Sequence, residues 1–323
     1  MEVAPGIHRI EAPLGDRFVC LYLLVGDDAA LLIDTGLHDS VDQVLVPYLR
    51  AAHIEPRRIR YVLSSHADFD HMGGNAAVKE LAPAATFLCH TLDRAMIEDI
   101  DCMIELRYSE FAADHGIDDS EETKAWIRAS ARGVPIDIAL TGGEEVRLGA
   151  DWSVQILHTP GHSRGHLSVY DPRSHAAIIT DTALWNAVLT TQGAPAFPPT
   201  YRYVETYVAS TQRLQGLPID LLLTGHYPVY DGSAVAAFLG ESRAYGDRVD
   251  AALREELGRA TAPPTMAELI ASLGPRLGSW PEAASSALVY PLAGHLERLR
   301  QYGLVDAVRG AGGEDHMAYR WMA

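Results

Sequence analysis

A short segment near residue 70 concentrates four metal-binding side chains within six positions. They are His66, Asp68, Asp70 and His71, and two glycines follow at once. Imidazole and carboxylate groups are ligands for divalent or ferric ions, whereas carboxylates this close repel one another unless a cation lies between them. An apolar run over Ile59–Leu63 predicts a buried strand that delivers this segment. The chain must therefore fold so that a sheet edge holds a metal-binding loop.

Size and charge restrict the class of protein. The 323 residues suit one large domain and a small one, and a hydrophobic content of 48% is typical of a globular chain. The formal net charge of -17 argues against free DNA or RNA as the main partner, because phosphate binding normally needs a basic surface. The sequence therefore favours a small-molecule substrate and makes a nucleic-acid partner unlikely.

Cysteine usage and hydropathy indicate a compartment. The three scattered cysteines, Cys20, Cys89 and Cys102, predict neither a disulfide framework nor a cysteine zinc site. The first residues lack the basic start and apolar core of a signal peptide, and the best apolar run is interrupted by acids. We therefore expect a cytoplasmic protein with no membrane span.

Apolar runs and turn residues predict a large domain over residues 1–232, which contains the loop near residue 70. Short strands are expected in the first ninety residues and again between residues 146 and 224, with helices between them. This order favours an α+β fold in which two β-sheets lie between layers of helices. Residues 91–132 are rich in Met, Tyr and acids, and they predict a helical insertion.

The remaining residues, 233–323, predict a smaller helical domain. Helices over 233–257, 266–273 and 283–302 are followed by strands at 304–308 and 318–321, with glycines at 310–313 as the tip between them. This order predicts a winged-helix-like module. Its basic and acidic side chains balance, and its leucines recur at helical spacing. We expect it to pack, to cover substrate or to form a homodimer rather than to bind nucleic acid.

Three further metal-binding residues follow predicted strands elsewhere in the chain. They are His162 in the segment after the strand ending at His158, Asp181 after the strand ending at Thr180, and His226 after the strand ending at Thr224. Loops held at the ends of rigid strands are where binding sites are usually built. Each of these three loops is therefore a candidate to build a binding site.

The motifs as a set resemble those of the metallo-β-lactamase superfamily of dinuclear metallohydrolases, over about residues 6–230. In chain order they are Asp34-Thr35-Gly36, the His66 loop, Pro160-Gly161-His162, Asp181 and Gly225-His226. The resemblance implies an αββα sandwich with two metal ions at one edge. It also implies a ligand set: His66, Asp68 and His162 for the first ion, Asp70, His71 and His226 for the second, Asp181 between them, and Asp34 orienting a ligand histidine or its loop.

One position departs from that pattern. The superfamily has His where this chain has Asp68, and a carboxylate moves the expected preference from Zn toward Fe or Mn without excluding Zn. The departure also resembles the flavodiiron proteins, which have Glu there and use two irons for redox chemistry. However, the segment after the core is short for a flavodoxin module.

The sequence leads to three hypotheses about function. The first is a dinuclear metal-dependent hydrolase of a small ester, thioester or lactone, in which a metal-bridging hydroxide attacks and Asp70 protonates the leaving group. The second is a ribonuclease or phosphodiesterase, and the third is a non-hydrolytic diiron redox protein. For the first, the aromatic residues near the ligand loops in sequence are candidates to bind substrate: Trp185, Tyr201 and Tyr227.

Overall fold

The first part of the chain forms a seven-stranded sheet whose strands pair in chain order. The computed structural model describes residues 1–309 and 316–322. The strands of this sheet are β1 (Glu2–Ala4), β2 (Ile7–Leu14), β3 (Arg17–Val25), β4 (Ala30–Ile33), β5 (Ile59–Leu63), β6 (Thr86–His90) and β7 (Ile138–Leu140). Pairing is antiparallel as far as β4 and parallel from β4 to β7. The parallel pairs require crossover connections, and helices supply them.

The second sheet is built from later strands. In chain order these strands are β8 (Glu145–Gly149), β9 (Trp152–His158), β10 (Leu167–Asp171), β11 (Ala176–Thr180), β12 (Val188–Leu189), β13 (Pro195–Phe197), β14 (Leu221–Thr224) and β15 (Tyr230–Asp231). Six of them form a sheet in the order β15-β14-β11-β10-β9-β8, and β12 pairs with β13 alone. Only β11 and β14 are parallel in the six-stranded sheet.

Helices lie on the outer side of each sheet, and those near the C-terminus pack into a further core. They are α1 (Val46–Ala51), α2 (Phe69–Met72), α3 (Asn75–Leu81), α4 (Arg94–Glu98), α5 (Ile100–Met103), α6 (Ala112–His115), α7 (Glu121–Ser130), α8 (Val204–Gln215), α9 (Ser233–Arg259), α10 (Met266–Leu277) and α11 (Val289–Gln301). Short π-helical turns occur at Val41–Leu45 and Ile104–Tyr108, and 3-10 turns at Pro56–Arg58 and Glu282–Leu288. The predicted insertion over residues 91–132 is largely helical, as α4 to α7 show.

Three apolar layers confirm the predicted sandwich. The two sheets face each other across a core that includes Tyr22 and Leu31 from the first sheet and Ile156 and Val169 from the second. On the outer side of the first sheet, alternate residues of the same strands pack with the helices before and after β5. On the outer side of the second sheet, strand residues pack with α8 and the start of α9. The layers are therefore helix, sheet, sheet, helix.

Strand register brings the ligand loops to one edge. Ile33 at the end of β4 pairs with Leu63 at the end of β5, so the segments that follow both strands leave the sheet together. In the second sheet, Thr180 at the end of β11 pairs with Thr224 at the end of β14. Since each of these pairs is parallel, each brings two ligand-bearing loops to the same sheet edge.

The C-terminal residues share a core with the sandwich. Tyr201 and Tyr207, before residue 232, are buried together with Leu253 and Leu292 after it. The division of the chain at residue 232 therefore stays a prediction. Helices α10 and α11 precede an antiparallel pair, β16 (Val305–Arg309) and β17 (Met317–Trp321), in the predicted order. The predicted glycine tip at 310–313 lies outside the described residues. Within the described ranges, no helix is both long and apolar enough to cross a membrane.

The single helix predicted over residues 283–302 is wrong in its first part. A 3-10 turn covers Glu282–Leu288, and the α-helix begins at Val289. Pro291 is the physical reason, because it has no N–H to donate to the carbonyl four residues earlier. A proline is tolerated in the first turn of a helix, so the helix starts just before it.

A buried arginine connects three distant segments. Arg202 lies just before α8, and its guanidinium donates to Glu110 of the insertion at 2.8 Å and to both carboxylate oxygens of Glu297 in α11, at 2.9 and 2.6 Å. Arg202 is only 6% exposed. Buried charges of this kind must be paired, so the insertion and the C-terminal helix are tied to the same residue.

Candidate metal centre and substrate cavity

The loop after β5 places two imidazoles inside the protein. His66 and His71 are fully buried, and the Nδ1 atom of His71 donates to Asp34 Oδ2 at 2.7 Å. Asp34 also accepts from the N–H of Ser65 at 2.7 Å and from the Ser65 hydroxyl at 2.8 Å. Asp34 has a φ of 60°, a conformation that non-glycine residues rarely adopt. Its carboxylate thus contacts both the loop and the ring of His71, and the role of Asp34 in orienting a metal ligand stays a prediction.

The loop after β9 carries His162 and is anchored by Asp93. The Ser163 hydroxyl and the Gly165 N–H donate to the two Asp93 oxygens at 2.6 and 2.8 Å. At Gly161 the backbone φ is 148°, and a Cβ there would lie 2.5 Å from the Cα of Tyr207. Only glycine fits this close approach to α8. The loop therefore holds His162 in one orientation.

The last two predicted ligands follow β11 and β14. Asp181 and His226 are buried, and His226 Nδ1 donates to the Phe18 carbonyl at 2.8 Å. That bond leaves His226 Nε2 facing Asp181 Oδ2 at 3.2 Å and Asp70 Oδ2 at 3.6 Å. A histidine fixed through one ring nitrogen presents the other to a metal.

All seven predicted ligands meet in one cluster. Ligand atoms lie within 4.8 Å of one another in three groups: His66 with Asp68 and His162, Asp70 with His71 and His226, and His66 with His71 and Asp181. Asp181 Oδ2 lies 3.6 Å from His71 Nε2, 3.2 Å from His226 Nε2 and 4.0 Å from His162 Nε2. Its central position is what a ligand shared by two ions requires.

Two buried atoms test whether the cluster fits a cation. Among the described residues, His66 Nε2 and Asp181 Oδ1 are buried without a hydrogen-bond partner. Unpartnered buried polar atoms are costly, and a cation between them would remove the cost. The oxygen and nitrogen donors are also those that Zn, Fe and Mn accept. The residues present therefore fit a metal ion.

The charges of the cluster are strongly coupled. Burial lowers the pKa of His66, and the nearby His71 ring lowers it further. Burial alone would also lower the pKa of His71, but Asp181 and Asp70 outweigh it and raise that pKa well above its usual value. Burial would raise the pKa of Asp181, yet His226 holds it well below the usual range. Protons thus balance these carboxylates, and a metal ion would replace them.

Arg107 lies at the same cluster and was not predicted from the sequence. Its guanidinium donates to both oxygens of Asp68, at 2.9 and 3.1 Å, and this arginine is only 7% exposed. Burial would raise the pKa of Asp68, but Arg107 is the main group that holds it well below the usual range. The negative charge that Asp68 adds to the motif was the one available signal, because a buried carboxylate needs a cation.

A cavity of about 380 Å³ opens onto the cluster. Five of the predicted ligands line it: Asp68, Asp70, His162, Asp181 and His226. Apolar and aromatic side chains from four separate parts of the chain form much of the remaining wall, among them Phe69, Phe111, Trp126, Ile127, Val188, Phe197, Val289 and Tyr290. The 3-10 turn before α11 also contributes to the wall. The C-terminal residues thus cover part of the site, one of the roles expected for them.

The aromatic residues predicted to bind substrate lie elsewhere. Tyr201 and Tyr227 are fully buried in the core, where Tyr201 contacts His295 at 2.9 Å and Tyr227 donates to the carbonyls of Leu184 and Ala187. Trp185 packs at the edge of the core behind the second sheet. Since none of the three lines the cavity, this structure corrects the prediction that they contact substrate.

Comparisons with known proteins agree with this geometry. A family model described as the metallo-beta-lactamase superfamily matches residues 14–226. The acyl-coenzyme A thioesterase MBLAC2 of Gallus gallus is 28% identical over 65% of this chain and 73% of its own length. An N-acyl homoserine lactonase of a Bacillus species is 30% identical over 48% of this chain and 58% of its own length.

A plant relative and two solved structures extend the comparison. The cytoplasmic hydroxyacylglutathione hydrolase of Arabidopsis thaliana is 26% identical over 46% of this chain and 41% of its own length. A metallo-beta-lactamase family protein of Thermus thermophilus covers 99% of this chain and 100% of its own, with 23% identity and a TM-score of 0.76. A beta-lactamase domain protein of Burkholderia ambifaria covers 100% and 93%, with 19% identity and a TM-score of 0.76. The two structures share the fold along nearly the whole chain, including its C-terminal part.

Proposed function

Because this chain belongs to the metallo-β-lactamase superfamily, and relatives in it are named as hydrolases, we propose that it hydrolyses an ester, thioester or lactone with an apolar acyl group. At the coarser level, the chain is a metal-dependent hydrolase of small molecules. The finer proposal depends on one observation: the predicted ligands line a cavity whose other walls are largely apolar. A site of this size accepts a small organic molecule.

The ligand geometry supports two metal positions. His66, Asp68 and His162 would hold the first ion, Asp70, His71 and His226 the second, and Asp181 would contact both. Bound divalent ions would lower the pKa of water and polarise the scissile carbonyl. The carboxylate of Asp68 favours Fe or Mn over Zn at the first position.

The remaining chemistry belongs to side chains of this protein. Hydrolysis adds a hydroxyl group to the carbonyl carbon and a proton to the departing alcohol or thiol. Asp70 lines the cavity, with its Oδ2 3.9 Å from His71 Nε2 and 3.6 Å from His226 Nε2. We assign Asp70 to hold the proton that the leaving group takes up. The apolar wall would exclude water and orient the acyl chain so that its carbonyl faces the ligands.

A substrate panel tests this proposal. Metal-loaded protein is assayed with p-nitrophenyl esters, acyl thioesters and acyl lactones of increasing chain length, and with a phosphodiester. We expect the acyl substrates to turn over and kcat/KM to rise with chain length until the cavity is filled. Phosphodiester cleavage without acyl hydrolysis would contradict the proposal and favour the nuclease hypothesis. Metal-stimulated oxygen uptake without hydrolysis would favour redox chemistry.

A variant pair tests whether the cavity binds the acyl chain. Trp126 lines the cavity and is 46% exposed, so Trp126→Ala should fold. Loss of its apolar contact should remove about 1–2 kcal/mol of transition-state stabilisation for a long acyl chain. This corresponds to a fall in kcat/KM of roughly five- to thirty-fold, with little effect on an acetyl ester. Ile138→Ala is the matched control, since Ile138 is exposed on β7 and does not line the cavity. Equal effects of the two variants would refute acyl binding there.

A further inference from the structure

Arg107 makes contacts with two ligands of the first metal position. Its Nε and Nη2 atoms donate to the two oxygens of Asp68 at 2.9 and 3.1 Å. The same Nη2 lies 3.2 Å from His162 Nε2, and Nη1 donates to the His162 carbonyl at 3.4 Å. The planar guanidinium therefore already engages the carboxylate and the ring nitrogen that a metal ion at this position would use.

The surroundings of Arg107 hold it in that place. It lies in the π-helical turn Ile104–Tyr108, and its guanidinium carbon lies 4.5 Å from the centre of the Tyr290 ring. The Tyr290 hydroxyl donates to the Arg107 carbonyl at 2.8 Å. The C-terminal part of the chain thus fixes both the backbone and the charged end of this arginine.

Among the residues that the structure describes, none supplies such a cation at the second metal position. Within residues 1–309 and 316–322, Asp70 and Asp181 form ion pairs with imidazoles and with no lysine or arginine. A guanidinium cannot be deprotonated in a protein, so Arg107 stays a cation whether or not a metal ion is bound. The two positions therefore differ in what a metal ion must displace.

We propose that Arg107 is a built-in cation that competes with the first metal ion for Asp68 and His162, so that the second position fills first. The first position then fills only at higher metal concentration, when Asp68 turns from the guanidinium to the ion. This inference rests on the proposed metal centre and adds an order of filling to it.

Equilibrium metal titration of the full chain tests the order. The protein is stripped with a chelator and titrated with Zn²⁺, and separately with Mn²⁺, against a metallochromic competitor, with bound metal measured by elemental analysis. We expect two binding steps whose dissociation constants differ at least tenfold. His226→Ala should remove the tighter step and His162→Ala the weaker one.

Variants of the arginine test its part in the difference. Arg107→Met should tighten the weaker step at least tenfold and leave the tighter step unchanged. Arg107→Lys keeps a charge but loses the paired contact, so it should tighten the weaker step by a few-fold. Arg17→Met is the control, since Arg17 lines the same cavity and stacks on Phe197 at 4.8 Å without touching a predicted ligand. It should leave both steps as they are.

The possible results separate this inference from the proposed function. Two equal steps in the wild-type protein, or a weaker step unchanged in the arginine variants, would overturn the role of Arg107 and leave the metal centre intact. If Arg107→Met does not fold, an unchanged weaker step in Arg107→Lys is sufficient to overturn it. Failure of the wild-type protein to bind any metal would instead refute the proposed function.

Discussion

Replacing Asp34 with asparagine should show how the orientation of His71 affects metal binding, apart from its effect on the stability of the fold. Asp34 accepts three hydrogen bonds, from His71 Nδ1, the Ser65 N–H and the Ser65 hydroxyl. In Asp34→Asn, one amide oxygen can still accept from the Ser65 N–H. The amide nitrogen must then face His71 Nδ1, and it can only donate. The neutral form of the ring, which metal binding requires, will therefore carry its proton on Nε2, the atom directed at Asp70 and Asp181.

The structure gives the size of each effect. Full removal of the side chain would leave three buried donors unpaired at about 1–3 kcal/mol each, a sum comparable to the total stability of a domain. Asparagine keeps the shape, and the Ser65 hydroxyl can turn to accept, so we expect a loss of about 2–3 kcal/mol in the free energy of unfolding. A partner that fixes a ligand histidine contributes about 10- to 100-fold in metal affinity. Metal binding at the second position should weaken by that factor.

The assay is metal competition with a chelating indicator, alongside thermal unfolding of the metal-free protein. Asp171→Asn is a matched control, because Asp171 is also buried and accepts from Trp152 Nε1, the Arg173 N–H and the Ser174 hydroxyl, at 3.0, 3.1 and 2.6 Å. It should lose similar stability and keep its metal affinity. Unchanged metal affinity in Asp34→Asn would refute the reasoning. An equal loss of metal affinity in Asp171→Asn would refute it as well.

Three further outcomes follow from features of the site and the chain. Asp68→His should shift competitive metal preference toward Zn, and it should lower the thermal midpoint of the metal-free protein because Arg107 loses its carboxylate; unchanged preferences would show that Asp68 does not touch the metal. Burial raises the pKa values of Cys20 and Cys89 to about 12, so below that pH both thiols stay protonated and only the half-buried Cys102 should react with a disulfide reagent in native protein at pH 8; three rapid equivalents would contradict this. The net charge of -17 predicts that the protein is not retained on unstructured RNA at physiological salt. Retention that weakens with added salt would favour the nuclease hypothesis over the hydrolase hypothesis.

The sequence could predict which candidate ligands lie together, because the resemblance to the superfamily supplied the set and each of its loops follows a recognisable strand. Residues such as His162 and Asp181 come soon after an apolar strand, and parallel pairing then brings the loops together. Arg107 was not accessible in this way. It reaches Asp68 from a helical turn 39 residues away, and neither its spacing nor its neighbours mark it among 26 basic residues.

The aromatic residues show a second limit on what the sequence can predict about the site. Tyr201 and Tyr227 are close to ligand loops along the chain, yet each hydroxyl finds a partner inside the core. Proximity in sequence does not reveal on which side of a layer a ring lies. The cavity is lined instead by rings from the insertion and the C-terminal turn, such as Trp126 and Tyr290, and only tertiary packing brings those together.

The ion pairs of Arg202 limit how a protein of this kind can be recombined. Glu110 belongs to the insertion and Glu297 to α11, and both accept from this one guanidinium near the cavity. A chimera that imports a foreign insertion without its matching C-terminal helix would leave a buried cation short of a partner, at a cost of about 3–5 kcal/mol. Engineering this protein for new substrates therefore requires that the insertion, the segment before α8 and the C-terminal helix α11 be exchanged together.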